Sequence, residues 1–178
     1  MRYITMIVIT LFYSSMLIAQ RGNAEQKAAI DKLRWMTGSW AGTSTVKTDS
    51  IMQVTNIRET IVSALDGTIL QITVRATDKD TNTNRQSLAY TAFSVISYDL
   101  KDKKYVWTSW RNTENDYDQH SFTVGDNSFE YISKENGGQV RYKASSGSNG
   151  EFLETGEYSK NGSDWGQFIT MKLLKVQR

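Results

Sequence analysis

The feature that most constrains this chain is a series of about ten short segments, from residue 39 onward, in which β-branched and aromatic residues alternate with polar ones. Gly, Asn, Asp and Ser separate these segments at short intervals, and the 178 residues include no proline. Because short links join sequential antiparallel neighbours, the pattern predicts strands that pair in chain order. The predicted strands are 40–47, 51–64, 68–77, 86–98, 104–112, 119–124, 129–133, 139–145, 151–159 and 165–176.

About ten strands exceed what a single open sheet comfortably carries. Closure into an up-and-down barrel is therefore favoured over a two-sheet sandwich, whose crossing connections need longer links than these. Asp66-Gly67 and Asn161-Gly162 predict hairpin turns, since both dipeptides accept positive φ at low cost. We expect one all-β domain over residues 24–178, an antiparallel barrel with one short N-terminal helix.

The predicted helix covers residues 24–36, with Asn23 as its N-cap. Its apolar positions approximate one stripe, made of Ala29, Ile30, Leu33 and Met36. Gly38 follows at the point where the end of a helix needs a residue free to adopt positive φ.

Trp40 comes two residues after Gly38, as the first predicted strand begins. Alternation places Trp40 on one face with Gly42 and Ser44, whose small side chains leave room for a large ring or a crossing segment. Trp40 is thus well placed to plug one end of a barrel. An ordinary buried tryptophan at a helix–strand junction fits these residues equally well.

The N-terminal residues have the layout of a secretory signal peptide. Arg2 supplies a positive start, residues 3–19 contain no charge, and polar residues follow. Cleavage after Ala19 or after Ala24 would suit the small-residue requirement, so residues 1–19 are assigned to the leader. A retained membrane anchor is the competing interpretation. The leader predicts a periplasmic or secreted protein with no membrane span after processing.

The charge balance and the absence of cysteine exclude several classes of protein. The 21 basic and 19 acidic residues become 20 and 19 once the leader and its Arg2 are removed, so the predicted mature chain is nearly neutral. This argues against a nucleic-acid partner held by a basic field. Without cysteine, disulfides and thiolate metal sites are excluded.

Glu59 is the most informative charged residue of the predicted strands. It shares a strand face with Ile57 and Ile61, while Arg58 faces the other way. Glu59 therefore points into an apolar lumen, where its pKa would be raised, or lies at the rim and pairs with a cross-strand cation. Both interpretations stay open.

The segment 104–112 has two mixed faces. One carries Tyr105, Trp107, Ser109 and Arg111, and the other carries Val106, Thr108 and Trp110. Either face suits a ligand-holding lumen, since an apolar ligand still needs polar groups that fix its orientation.

The segment Gly38-Ser39-Trp40-Ala41-Gly42 resembles the G-x-W opening of lipocalins and, more closely, the G-x-W-x-G opening of lipocalin-like bacterial barrels. Among these the chain is most similar to a family of secreted bacterial proteins known only as a domain of unknown function. The similarity continues along the chain through Glu59, Ser97-Tyr98-Asp99, Lys104-Tyr105-Val106 and Trp165. The resemblance implies a calycin-type barrel. In lipocalins a basic residue of the last strand packs over the tryptophan, and the candidates here are Lys172, Lys175 and Arg178.

The chain also resembles the heme-binding nitrobindins, which share Gly38, Trp40 and Gly42 but have a further glycine where this chain has Ser44. They bind iron through a proximal histidine on a late strand. The one histidine here, His120, precedes the C-terminal strands and has acidic and polar neighbours. We therefore expect His120 at the surface.

The sequence indicates no metal site and no nucleophile. One histidine without cysteine cannot build a histidine-rich zinc site. Glu114, Asp116 and Asp118 lack the register of a calcium loop, so we expect a solvated loop there. The serines have neither a suitably spaced histidine nor a G-x-S-x-G elbow.

The leading hypothesis is an exported barrel that binds a small apolar or amphipathic molecule in its lumen, without a cofactor. Three alternatives remain: a barrel isomerase or hydrolase using Glu59 as acid or base, a heme-binding barrel, and a packed barrel whose outer surface binds a protein. The candidate ligand contacts are Trp40, Glu59, Tyr90, Trp107, Trp110 and Tyr131.

Overall fold

Alternating stretches of the sequence form ten strands in the computed structural model, which describes residues 24–47, 52–79, 86–135 and 137–177. The predicted leader, Asn23 and Ile51 lie outside these residues. The strands are β1 (Gly38–Lys47), β2 (Met52–Ala64), β3 (Ile69–Lys79), β4 (Gln86–Asp99), β5 (Lys104–Arg111), β6 (Tyr117–Gly125), β7 (Ser128–Glu135), β8 (Gly138–Ser146), β9 (Phe152–Ser159) and β10 (Gly166–Lys175).

The strands close into an antiparallel barrel. Each pairs with its neighbours in the chain, and β1 pairs with β10, so the order around the barrel is β1-β10-β9-β8-β7-β6-β5-β4-β3-β2. The predicted all-β, up-and-down fold is therefore confirmed. Closure leaves no unpaired sheet edge among the described strands, which removes the usual route to edge-to-edge aggregation.

The helix is shorter than predicted. Helix α1 covers residues 24–31, and a separate 3-10 turn, Arg34–Met36, follows it. Ile30, Leu33 and Met36 are spaced by three residues, the repeat of a 3-10 helix, so tightening the last turns points all three side chains at the core. No helix in the described part of the chain is long and apolar enough to cross a membrane.

Gly38 has positive φ, as predicted, but not as a helix cap. Thr37 is already extended, and Gly38 opens β1 with φ 141°. A Cβ there would lie 2.6 Å from Cε of Lys175. The end of the Lys175 side chain can move aside, so the positive φ is what requires glycine where β1 meets the end of β10.

One half of the barrel interior is filled, and we call it the plugged half. Helix α1 and the 3-10 turn insert their apolar side chains between the strands, and Tyr105 Oη donates to the carbonyl of Ala29 at 3.1 Å. The buried cluster is Ile30, Leu33, Met36, Trp40, Ile57, Ile61, Leu70, Ile72, Ala76, Ile96, Phe122, Phe129, Ala144, Phe152 and Leu173.

Trp40 joins the plug to the sheet. Its Nε1 donates to the carbonyl of Met36 at 2.7 Å, and its ring packs edge-on against Phe152. Nζ of Lys175 lies over the ring, 5.3 Å from its centroid. Lys175, one of the predicted basic residues, therefore makes this contact, because it is the direct cross-strand partner of Trp40; Arg178 lies outside the described residues.

Candidate functional site

The other half of the interior is open and contains a cavity of about 220 Å³. Larger hollows exist elsewhere, such as one of about 440 Å³ between β1, β2 and β3, but they include outward side chains such as Arg58 and Arg75. The lumen cavity is walled by side chains from strands all around the barrel. Its lining is Ser44, Tyr90, Trp107, Ser109, Arg111, Asp118, His120, Tyr131, Tyr142, Glu154, Ile169 and Met171.

Strand register explains why these side chains meet. Residues directly opposite each other in an antiparallel pair share a face of the sheet. Trp107 lies opposite His120, and Tyr131 lies opposite Tyr142. One inward residue on a strand therefore fixes which residues of the neighbouring strands face the lumen.

Stacked rings form one wall of the cavity. The imidazole of His120 lies 4.8 Å from the ring of Tyr131 with an interplanar angle of 15°. Tyr131 in turn stacks on Tyr142 at 5.1 Å and 22°. This column of three rings offers flat, partly polar surface at a small cost in side-chain entropy.

Two carboxyl groups, those of Glu59 and Glu154, lie in the barrel interior. Glu154 lines the cavity, and Glu59 is only 6% exposed. Burial, with a smaller contribution from the charge of Glu154, raises the pKa of Glu59 to about 8. Burial also raises the pKa of Glu154 to about 7. Within the described residues neither carboxyl has an ion-pair partner, which corresponds to the buried rather than the rim interpretation of Glu59.

The tyrosines of the cavity stay protonated at neutral pH. Burial raises the pKa of Tyr142 to about 12, with the charge of Glu154 adding to it. The pKa of Tyr131 and that of Tyr90 are raised as well, in each case mainly by burial. Three phenols can therefore donate hydrogen bonds into the cavity.

Arg111 lines the cavity, but its guanidinium already contacts two other residues of the protein. Its Nη1 lies 3.1 Å from Oε1 of Glu114. Its guanidinium carbon lies over the ring of Tyr90, 4.7 Å from the centroid. The face of Tyr90 thus accepts a cation within the protein itself.

The structure brings three of the six candidate contacts together in the cavity: Tyr90, Trp107 and Tyr131. Trp40 and Glu59 also point inward, but they belong to the buried interior and do not line the cavity. Trp110 is 44% exposed and packs against Phe93 on the outside. The face of β5 that lines the lumen is therefore the one with Trp107, and Trp110 cannot touch a ligand there.

His120 was expected at the surface, and this prediction was wrong. Its acidic neighbours suggested a loop, but β6 begins at Tyr117, so strand alternation puts His120 on the inner face with Phe122. Glu154 was missed as well, although it alternates with Phe152, which is buried. In both cases the sequence contained the information: alternate residues of a strand share a face, so a residue two positions from a buried phenylalanine should also point inward.

Of the three acidic residues predicted to lie in a solvated loop, Glu114 and Asp116 do so between β5 and β6, whereas Asp118 lies on β6 and lines the lumen cavity. Glu114 and Asp116 are exposed, and Glu114 pairs with Arg111. No group of three or more His, Asp or Glu side chains that could hold a metal ion occurs in the part of the chain that the structure describes.

A scan of protein-family models finds no match for this chain, and a search of curated proteins finds no significant relative. The closed ten-stranded barrel with its short helix is therefore shown by its strand pairing. The lipocalin-like resemblance at residues 38–42 stays a prediction from the sequence.

Proposed function

We propose that this protein is an exported barrel that binds a small amphipathic molecule in its lumen. The observation that carries the proposal is an unfilled cavity of about 220 Å³ inside a barrel whose other half is packed by α1 and Trp40. Ligand sites in proteins combine apolar walls with a few polar groups that fix orientation, and this lining has both. Export is inferred from the pattern of residues 1–19 alone.

The cavity limits the size and character of the ligand. Its volume lies below the range of about 300–1,000 Å³ usual for pockets that hold drug-sized molecules. Trp107, Ile169 and Met171 supply apolar surface, while phenols, Arg111 and Glu154 supply polar groups. A small molecule with one apolar and one polar part matches this lining better than a purely apolar one.

A space-filling substitution tests the proposal. Ser109 lines the cavity, whereas Thr108, its neighbour in β5, faces outward. Ser109→Phe should abolish retention of a small molecule that co-purifies with the mature protein or is captured from an extract, and Thr108→Phe should preserve it. Native mass spectrometry measures retention, and circular dichroism confirms that both variants fold. Retention by Ser109→Phe, or no capture by the wild-type protein, would contradict lumen binding.

The enzyme alternative has one observation in its favour. Two carboxyl groups with pKa values raised to about 7 and about 8 are poised for proton transfer near neutral pH. Because Glu154 lines the cavity and Glu59 does not, Glu154 would exchange protons with a substrate and Glu59 would set its charge. Glu154→Gln should then stop conversion of a captured molecule while leaving it bound. If the protein only binds its ligand, neither the wild-type protein nor Glu154→Gln will convert the captured molecule.

The heme alternative now has a different geometry from the one expected. His120 does line the cavity, but its ring is stacked on Tyr131, and the space beside it is smaller than a site for a drug-sized molecule. We therefore expect no Soret shift when hemin is added to the mature protein. A shift that His120→Ala removes would restore the heme hypothesis.

A further inference from the structure

We propose that the lumen selects a small organic cation, an amine or a quaternary ammonium, whose charge is held between the Glu154 carboxylate and the aromatic faces of the cavity. This inference rests on the proposed lumen binding and names the chemical class of the ligand. Three features carry it: the acidic excess of the interior, the rings available to a cation, and two interior carboxyl groups that have no ion-pair partner among the described residues.

The charged groups around the cavity are mostly acidic. Besides Glu59 and Glu154, the carboxylates of Asp118 on β6, Glu135 on β7 and Asp78 on β3 lie close enough to influence the cavity tyrosines. Facing them are Arg111 and His120. Since Arg111 is already paired with Glu114, an added cation would meet an acidic excess. An anion would meet repulsion.

The tyrosine rings supply the second feature. A cation over the face of a tyrosine is attracted by the ring quadrupole, and the attraction grows when water is excluded. Tyr90 already has the guanidinium of Arg111 on its ring. Tyr142 and Trp107 add two further rings to the lining that includes Glu154, whereas Tyr131 is stacked between His120 and Tyr142. A carboxylate with aromatic rings near it suits an organic cation, because the carboxylate attracts the charge and the rings contact the apolar groups around it.

The third feature is the state of the two carboxyl groups. Glu59 is more than nine-tenths buried, and within the described residues no cation pairs with it or with Glu154. Without a ligand the pair avoids two adjacent buried charges by keeping protons. A bound cation would stabilise the carboxylate of Glu154, whose proton would pass to the solvent. Binding is then coupled to proton release.

Two pairs of matched probes separate charge from shape. Choline and 3,3-dimethylbutan-1-ol have the same form, and so have benzylamine and benzyl alcohol, but only the first of each pair is a cation at pH 8. Isothermal calorimetry on the mature protein should show at least one cation binding about tenfold or more tightly than its neutral partner. The negatively charged 3,3-dimethylbutanoate should bind less tightly than either member of its shape class.

Proton linkage gives a signature that shape alone would not produce. If one proton is released, the affinity for the cation should fall about tenfold for each pH unit below 7, while that for the neutral partner stays nearly constant. At pH 7 the measured heat should also differ between phosphate and HEPES, because the buffer takes up the released proton and the two buffers have different heats of protonation.

The variant Glu154→Gln should reduce the cation preference to about threefold or less and remove the pH dependence. The matched control is Glu130→Gln, since Glu130 lies on the outer face of β7 with its side chain 41% exposed, and it should retain both. Neutral probes binding as tightly as the cations would overturn the inference while leaving lumen binding intact. Failure of all probes would overturn it too, and retention in the Ser109→Phe experiment would then decide separately on lumen binding.

Discussion

Trp35 and Trp40 both pack in the plugged half of the barrel, but the indole nitrogens of the two residues differ in hydrogen bonding. Trp40 Nε1 donates to Met36, whereas Nε1 of Trp35 is buried without a hydrogen-bond partner among the described residues. Trp35 stacks on Phe152 at 5.4 Å, so its contribution comes from ring packing. A buried donor without a partner costs free energy that packing must offset.

We expect Trp40→Phe to destabilise the protein by about 1–2 kcal/mol more than Trp35→Phe. Both changes shrink an indole in the same plug, but only the first also leaves the Met36 carbonyl without its donor. Urea unfolding of the two variants, followed by circular dichroism, measures the difference. Equal losses would mean that the hydrogen bond of Trp40 contributes little beyond ring volume.

The candidate site could be predicted in part, residue by residue. Tyr90, Trp107 and Tyr131 were found because aromatic residues at strand positions suggest a ligand wall, and all three line the cavity. Trp110 was included because aromatic content does not distinguish the two faces of β5. Neither could the sequence show that Glu154 lies near Glu59, since that proximity arises only after β9 and β2 are brought around the same lumen.

Strands β1 and β10 approach unusually closely where they close the barrel. A Cβ on Gly42 would lie 2.0 Å from the carbonyl oxygen of Lys172 and 2.9 Å from Cα of Leu173. Both are backbone atoms, which cannot move aside as the end of a side chain can. Gly42 thus accommodates the backbone of the neighbouring strand β10, rather than the large ring or crossing segment that the sequence had suggested.

Gly42→Ala should therefore destabilise the barrel by about 1–3 kcal/mol, the usual cost of overpacking, because the closing pair of strands must separate. The control is Gly166→Ala in β10, where the nearest atom to an added Cβ is 3.9 Å away, and its effect should stay within about 0.5 kcal/mol. Thermal unfolding compares the two. A similar loss of stability in both variants would mean that replacing any strand glycine has this effect, and that the close contact at Gly42 is not its cause.

The elements themselves were largely readable from the sequence. The described strand ends lie within two residues of the predicted ones, because alternation and turn residues mark both ends. Asp66-Gly67 takes the predicted positive φ, 56° and 89°. In the second predicted turn only Gly162 does so, while the Asn161 side chain accepts backbone N–H bonds from Ser163 and Asp164. The end of α1 was misplaced because its apolar spacing suits a 3-10 turn as well.

Across the whole molecule, carboxyl groups with shifted pKa values change the stability with pH in two opposite directions. A hydrogen bond from Lys172, aided by Asn149, holds the pKa of Glu151 at about 2. That contribution to stability is present above the ordinary value of 4.5 and is lost as pH falls toward 2. Glu59 and Glu154 have raised pKa values and act in the opposite direction, since the unfolded chain releases their protons first.

Stability should therefore be greatest near pH 4.5 and decline as pH rises toward 8. Each of the two interior carboxyls steepens this decline above pH 5, because the unfolded chain has already lost the proton that the folded protein retains. Glu59→Gln and Glu154→Gln should each flatten the decline, and outward-facing Glu130→Gln should not. Urea unfolding at several pH values measures the slopes. Unchanged slopes in both buried variants would show that these groups ionise freely in the folded protein.

Helix α1 and Trp40 fill one end of the barrel interior, so a molecule bound in the cavity would enter and leave by the other end. A molecule that departs must retrace its entry path, and no second molecule can follow from behind to displace it. The dissociation rate of a bound molecule should then be independent of the concentration of a competing ligand, as expected for a pocket that is open at one end only.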